Sequence, residues 1–207
     1  YTSGTTGEPK GVISSHRSTL LHAFSKILST QRIHGLGKRL LPIVPLFHVN
    51  AWGTPYSAPL TGTALVMPGP RLDGASLFEL MDTEGVTGSL GVPTVWRGLI
   101  EEMKKRGRKP KALEVALIGG SATPKIMLDE LERDFGIVVE QGWGMTELSP
   151  VGTLGQLEPE MADIGEPRRS QMKLAQGRRM WGVEMKIVDD AGQRLPHHGV
   201  AFGELCV

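Results

Sequence analysis

Cysteine is nearly absent: Cys206 is the one thiol in 207 residues. An internal disulfide is therefore impossible, and no cysteine pair exists to hold zinc. This usage fits a reducing, cytoplasmic compartment. An excess of one charge is lacking too. Lys+Arg total 23 against 22 for Asp+Glu, a formal net charge of +1, so no global field favours nucleic acid or an anionic membrane as partner. No apolar run reaches the roughly 18–20 residues that a bilayer span needs. His16, His22, His34, His197 and His198 have no metal-site spacing with other ligands. No Ser-His-Asp arrangement stands out either. The first residues are already motif, so no signal peptide is expected, and the chain reads as the middle of something longer.

Glycine is what the chain does have, 27 residues of it. The opening stretch YTSGTTGEPKGV (1–12) places glycines, hydroxyls and Lys10 ahead of the first apolar run. It is not a Walker A loop, because Glu8 and Pro9 separate Gly7 from Lys10. The parts still suit phosphate: glycines let backbone N–H groups converge on an anion, and Lys10 adds a point charge. On this chemistry alone, a flexible turn between strand and helix is an equal alternative.

Beyond the loop, helical and strand patterns alternate. The spacing predicts a helix over 15–31, capped by Ser14 or Ser15, with Leu20, Leu21, Phe24, Ile27 and Leu28 as its buried stripe. Short apolar runs at 39–45, 63–68, 87–93, 114–120 and 137–144 predict strands. Ser76 and Glu79 read as a capping box for a helix ending near Glu84. Val95, Trp96, Leu99, Ile100 and Met103 mark one helix face, with Trp96 a core candidate that could also wall a ligand tunnel. Thr123 and Pro124 begin another helix, which Gly136 closes. The basic run KKRGRKPK (104–111) is expected to be a solvated loop.

Alternation of this kind predicts an α/β fold with a mostly parallel sheet flanked by helices over residues 1–150. Residues 151–182 show no period and are expected to form a long surface loop. Alternating residues after that predict part of a smaller β-rich subdomain, so the second unit runs over 151–207. In such sheets ligands sit beyond the carboxyl ends of the strands, where the loops PLFHVNAWG, GGSAT and QGWGMTE would gather.

One further stretch decides between the readings of the opening loop. GWGMTE (142–147) joins an aromatic, a threonine and a carboxylate in one short segment. Together with YTSGTTGEPKGV it resembles the adenylate-forming superfamily, and within it the acyl-CoA synthetases. PLFHVNAWG (45–53), GVPTVW (91–96) and LIGGSA (117–122) are similar to that family's acyl-pocket segments. The likeness continues through GVEMKIVDDAG and AFGELCV, covering essentially the whole chain.

The resemblance implies an ATP-dependent ligase that converts a short- or medium-chain or fatty carboxylate to acyl-AMP and passes it to coenzyme A. Thr2, Ser3, Gly4, Thr5, Thr6, Gly7 and Lys10 would cradle the phosphates. Glu147 and the Thr2 hydroxyl would hold Mg²⁺, and Trp143, where many members carry Tyr, would stack on adenine. Gly120, Gly142, Gly144 and Thr146 would complete the nucleotide site. Lys10, Thr146, Glu147 and His48 would be the catalytic set. His48, Trp52, Val92, Gly119, Gly120 and Ser121 would form the acid site, although a lone histidine beside Phe47 and Val49 also reads as a satisfied structural residue. The family's ribose-binding aspartate and lid lysine would lie beyond Val207, and its assembly would be a homodimer. Two alternatives stay open: adenylation with a different acceptor such as a carrier-protein thiol, and a nucleotide- or acyl-binding fragment without turnover.

Overall fold

A computed structural model describes residues 1–2, 7–156, 161 and 163–207. Its elements are α1 (His16–Ser29), β1 (Arg39–Pro42), α2 (Val49–Thr61), β2 (Ala64–Leu65), α3 (Gly74–Glu84), β3 (Gly88–Gly91), α4 (Pro93–Arg106), β4 (Val115–Gly119), α5 (Lys125–Asp129), β5 (Val138–Gly144), β6 (Val151–Gly155), α6 (Arg168–Leu174), β7 (Arg178–Arg179), β8 (Lys186–Val188) and β9 (Glu204–Cys206). Seven strands form one sheet in the order β2-β1-β3-β4-β5-β6-β7. The first five run parallel, and β6 and β7 join antiparallel. All five expected strands are present, and β4 shows why such runs are legible: a strand covered on both faces reads as a continuous apolar run. β3 and β4 are buried along their whole length.

Strand alternation divides the core in two. Leu41, Ile43, Ala116, Ile118 and Val139 face a cluster with Phe78, Trp96, Met103 and Leu131, under α3, α4 and α5. Leu40, Leu90, Val115 and Leu117 face the opposite way, into a cluster with Trp52, Leu154 and Met180. Trp96 is therefore core on the far side of the sheet from Trp52, and a place in a shared ligand wall is corrected.

Several local expectations are also corrected. α3 starts earlier than the Ser76–Glu79 pattern suggests: Asp73 is the N-cap and its carboxylate accepts the Ser76 N–H at 2.9 Å. Thr123 caps nothing; α5 begins after Pro124 and continues as a π-helical turn, Glu130–Asp134. The stretch expected to be a loop at 151–182 supplies β6, α6 and β7, so the main sheet continues past residue 150, and β8 pairs with β9 in a separate ribbon. The basic run is ion-paired rather than simply solvated. Arg108 grips Asp82 through two bonds, at 3.0 and 2.9 Å, and Arg106 reaches Glu79 at 2.7 Å. Both guanidinium groups lie over the Phe78 ring, tying α3 to α4.

The largest correction concerns α1. Ser15 is its N-cap, as expected, but Leu20, Leu21, Phe24 and Leu28 are exposed. The buried face is instead His22, Ala23, Ser25 and Lys26. The physical reason lies across the interface. The neighbouring segments offer backbone polar groups that need partners, and three side chains of α1 supply them. Lys26 donates to the Trp52 carbonyl, Ser25 donates to the Trp181 carbonyl, and His22 accepts the Val151 N–H.

Candidate active site at the carboxyl ends of the strands

Thr2 and Lys10 pair across the opening motif. The Thr2 N–H donates to the Lys10 carbonyl at 2.9 Å, and the Lys10 N–H returns to the Thr2 carbonyl at 3.3 Å. Gly7 stands between them at φ +121, backbone that glycine alone adopts readily. Lys10 is exposed. Ser3, Gly4, Thr5 and Thr6 lie outside the described residues.

β1 runs into Pro45–His48, where the His48 N–H donates to the Pro45 carbonyl at 3.0 Å and His48 is exposed. The chain then enters α2 with the wrong hand. Val49, Asn50, Ala51, Trp52 and Gly53 have φ of +42, +54, +46, +56 and +75 before the helix turns right-handed. The segment PLFHVNAWG (45–53) reads in sequence as a loop after a strand; α2 instead begins within it, at Val49.

That turn seats Trp52, only 7% exposed, against the end of β4. A Cβ on Gly119 would lie 3.0 Å from the indole and 2.6 Å from the Gly142 carbonyl oxygen. A Cβ on Gly120 would lie 3.1 Å from the Val92 side chain. Trp52 from α2 is thus brought against Val92, Gly119, Gly120 and Gly142 from three strand ends, and bare glycines are what the packing admits. Ser121 follows, exposed.

One strand over, β5 ends at Gly142–Trp143–Gly144 and passes into a 3-10 turn, Thr146–Leu148. Trp143 is half-buried, its ring packed on Gly152 of β6. Thr146 is half-buried and Glu147 exposed. Glu147 makes no ion pair among the described residues. An exposed carboxylate, next in the chain to the Thr146 hydroxyl, fits a cation such as Mg²⁺ whose shell substrate phosphates and water complete. Among the described residues no group of three or more His, Cys, Asp or Glu could form an all-protein metal cage.

Three buried ionisable groups behind this wall were not foreseen. Lys26 is fully buried, its ammonium 2.8 Å from the Trp52 carbonyl, and burial pulls its pKa down to about 7. His22 must be neutral and protonated on Nδ1, because Nε2 accepts the Val151 N–H at 3.1 Å; burial, then the Lys26 charge, hold its pKa near 4. His34 bridges Thr30 and Ser57 and is lowered to about 4 by the same two causes. The sequence signal was slight: His22 and Lys26 stand four apart, opposite the leucines. A fourth group, Glu140, is 1% exposed, stands 3.6 Å from the Arg32 guanidinium, and is raised to about 7 by burial, which outweighs that charge. It lines a cavity of about 1000 Å³ near the start of β5 with Arg32, Leu154 and Met180.

Residues 1–207 match the AMP-binding enzyme family. The chain belongs to that family. It is 48% identical over 205 residues to a medium-chain-fatty-acid–CoA ligase of Ectopseudomonas oleovorans, covering 99% of this chain and 38% of that protein. It is 45% identical over 209 residues to a 3-methylmercaptopropionyl-CoA ligase of Ruegeria lacuscaerulensis, covering all of this chain and again 38% of the relative. Among solved structures, the O-succinylbenzoate coenzyme A synthetase of Bacillus subtilis in complex with ATP and magnesium superimposes with a TM-score of 0.81 at 29% identity, over 99% of this chain and 39% of that one. This AMP-binding enzyme chain therefore spans well under half the length of these relatives. No helix among its described residues is long and apolar enough to cross a membrane.

Proposed function

We propose that the protein carrying this chain is an ATP-dependent acyl-CoA ligase for short- or medium-chain carboxylic acids. The observation that carries the reading is the meeting of two walls. The Trp52–Val92–Gly119–Gly120 surface and the Trp143–Glu147 loop leave adjacent strand ends, with Gly119 beside Gly142 in register. An acid held at the first wall would lie next to a nucleotide held at the second.

A carboxylate is a poor acyl donor until an oxygen becomes part of a good leaving group. Attack of that oxygen on the α-phosphorus of ATP forms the acyl–phosphate bond and expels pyrophosphate. The thiol of coenzyme A then attacks the acyl carbonyl, and AMP leaves. No protein nucleophile is needed; placement and charge compensation do the work. Lys10, Gly7 and the hydroxyl of Thr2, with Ser3, Gly4, Thr5 and Thr6 between, would hold the departing phosphates. Trp143 would stack on adenine, with Gly142, Gly144 and Thr146 at the nucleotide's edge. Glu147 and Thr2 would hold Mg²⁺, which neutralises phosphate charge when bound. His48, exposed at the head of α2, would meet the carboxylate, with Ser121 and Gly119–Gly120 on the facing side. Residues 183–207, carrying the β8–β9 ribbon, would begin a smaller subdomain, and the working assembly would be a homodimer.

The test is pyrophosphate release by the full-length protein with ATP, Mg²⁺ and acids of graded length, followed by thioester formation on adding coenzyme A. Both are expected, with a preference for short or medium chains. Pyrophosphate release without transfer to coenzyme A would move the acceptor elsewhere; no release with any acid would overturn the reading.

A further inference from the structure

Lys26 has no counter-ion among the described residues, although it is fully buried. Its ammonium donates to one carbonyl, that of Trp52, at 2.8 Å. This carbonyl belongs to the left-handed run Val49–Gly53. L-residues resist that conformation, and a run of them persists only when surrounding contacts hold it. The contacts are identifiable. Thr54 Oγ1 donates to the Ala51 carbonyl at 2.9 Å, and Lys26 takes the next carbonyl along. One turn earlier on α1, the His22 ring stands 3.4 Å from where a Cβ on Gly53 would be, and its other nitrogen accepts the Val151 N–H. α1 thus grips the acid wall with one residue and links it to the strand leaving the adenine loop with another.

We propose that Lys26 is a positioning residue for the acid site, fixing the Trp52 carbonyl and through it the indole that walls the site against Gly119–Gly120. This rests on the ligase reading above. A hydrocarbon side chain would fill the same space but leave a buried carbonyl without a donor, and the strained run would lose its restraint at the residue that shapes the wall. Lys26 touches no substrate; its effect on acid preference passes through Trp52.

A double-mutant cycle on the full-length enzyme tests this, with Lys26→Met, Trp52→Ala and the pair. KM and kcat are measured for acids of graded length, and KM for ATP separately. Lys26→Met is expected to raise KM for the preferred acid about tenfold, the loss of one buried hydrogen bond, and to flatten the chain-length profile. KM for ATP should stay within about twofold. In the Trp52→Ala background the lysine change should add nothing to acid preference. Lys26→Gln, which keeps an N–H donor, should recover part of the profile and replaces Lys26→Met if that variant does not fold. Parallel rises in both KM values, or additive effects on preference, would overturn the proposal. If wild type turns over no acid, the ligase reading falls but the link remains testable. The fluorescence difference between wild type and Trp52→Phe isolates Trp52 emission. A shift of that difference on Lys26→Met supports the link, and its invariance overturns it.

Discussion

Replacing Lys26 by Met should change how stability depends on pH, and the sign follows from the lysine's surroundings. In the unfolded chain the ammonium keeps its proton up to about 10.5; in the fold burial lowers that value to about 7. Between the two values the unfolded state binds more protons, so stability rises with pH, by at most about 1.4 kcal/mol per unit. Below about 7 the penalty is present in full, and above about 10.5 it is gone. Across this window the gain amounts to roughly 5 kcal/mol at most. The other resolved shifts act elsewhere. His22 and His34, lowered to about 4, add stability as pH rises from 4 to 6.5. Glu140, raised to about 7, removes stability between 4.5 and 7. Lys26→Met removes the alkaline slope and also one donor from the Trp52 carbonyl, a loss of about 1–3 kcal/mol. The variant should therefore match or exceed wild type at pH 7 and fall below it near pH 10. Denaturant midpoints of the full-length protein at pH 7, 8, 9 and 10 give the crossing point directly. Parallel curves for the two proteins would refute both the burial of the amine and the lowered pKa.

Lys10→Ala should suppress pyrophosphate release at an unchanged melting temperature, because the side chain is exposed and supports no packing; retained release would remove Lys10 from the phosphate site. Glu147→Gln should raise the Mg²⁺ concentration for half-maximal activity, since an amide is a weaker ligand for a hard cation; superimposable magnesium titrations would contradict the assignment. Gly119→Ala should raise KM for acids more than for ATP, because its methyl group would stand 3.0 Å from the Trp52 indole and 2.6 Å from the Gly142 carbonyl. An unchanged acid profile would place the substrate away from this wall.

What the sequence disclosed depended on how each element satisfies its backbone. The parallel strands were legible as short, mostly apolar runs between turn residues, clearest in β4, which is buried along its whole length. β6 and β7 were not, because they join antiparallel with little apolar alternation: β6 carries two glycines, and β7 is two arginines. α1 was found with the right cap and turned the wrong way. Its leucine stripe followed helical period faithfully, yet tertiary demand outweighed hydrophobic period. The inward face had to supply two donors and an acceptor to Trp181, Trp52 and Val151. A lysine in a helix is by default a solvated residue, so nothing local to Lys26 signalled burial. Trp52, Val92, Gly119 and Gly120, proposed as the acid site, meet in space although they span almost seventy positions along the chain. The phosphate loop is legible as motif, with Ser3 to Thr6 outside the described residues.

Three departures from ordinary protein construction coincide in the neighbourhood of Trp52: a left-handed run of mostly non-glycine residues, a lysine buried without a counter-ion among the described residues, and strand ends that leave no room for a Cβ. Each opposes stability when taken alone. Local inconsistencies of this kind are expected where a site constrains the chain more than packing does. The Trp96 side of the sheet provides a contrast: its large apolar cluster lies under α3, α4 and α5, with one π-helical turn carrying Leu131 into it and, among the described residues, no left-handed run of non-glycine residues. A role confined to folding would favour the same economy on both sides. The asymmetry argues that the Trp52 side is shaped by what it must hold, and it predicts where stabilising substitutions would impair function. Lys26→Met should raise stability at neutral pH while weakening acid discrimination. A substitution such as Val138→Thr, at a half-exposed strand position away from the wall, should leave discrimination unchanged. Loss of discrimination in both variants would indicate general loosening of the sheet rather than a site held through Lys26.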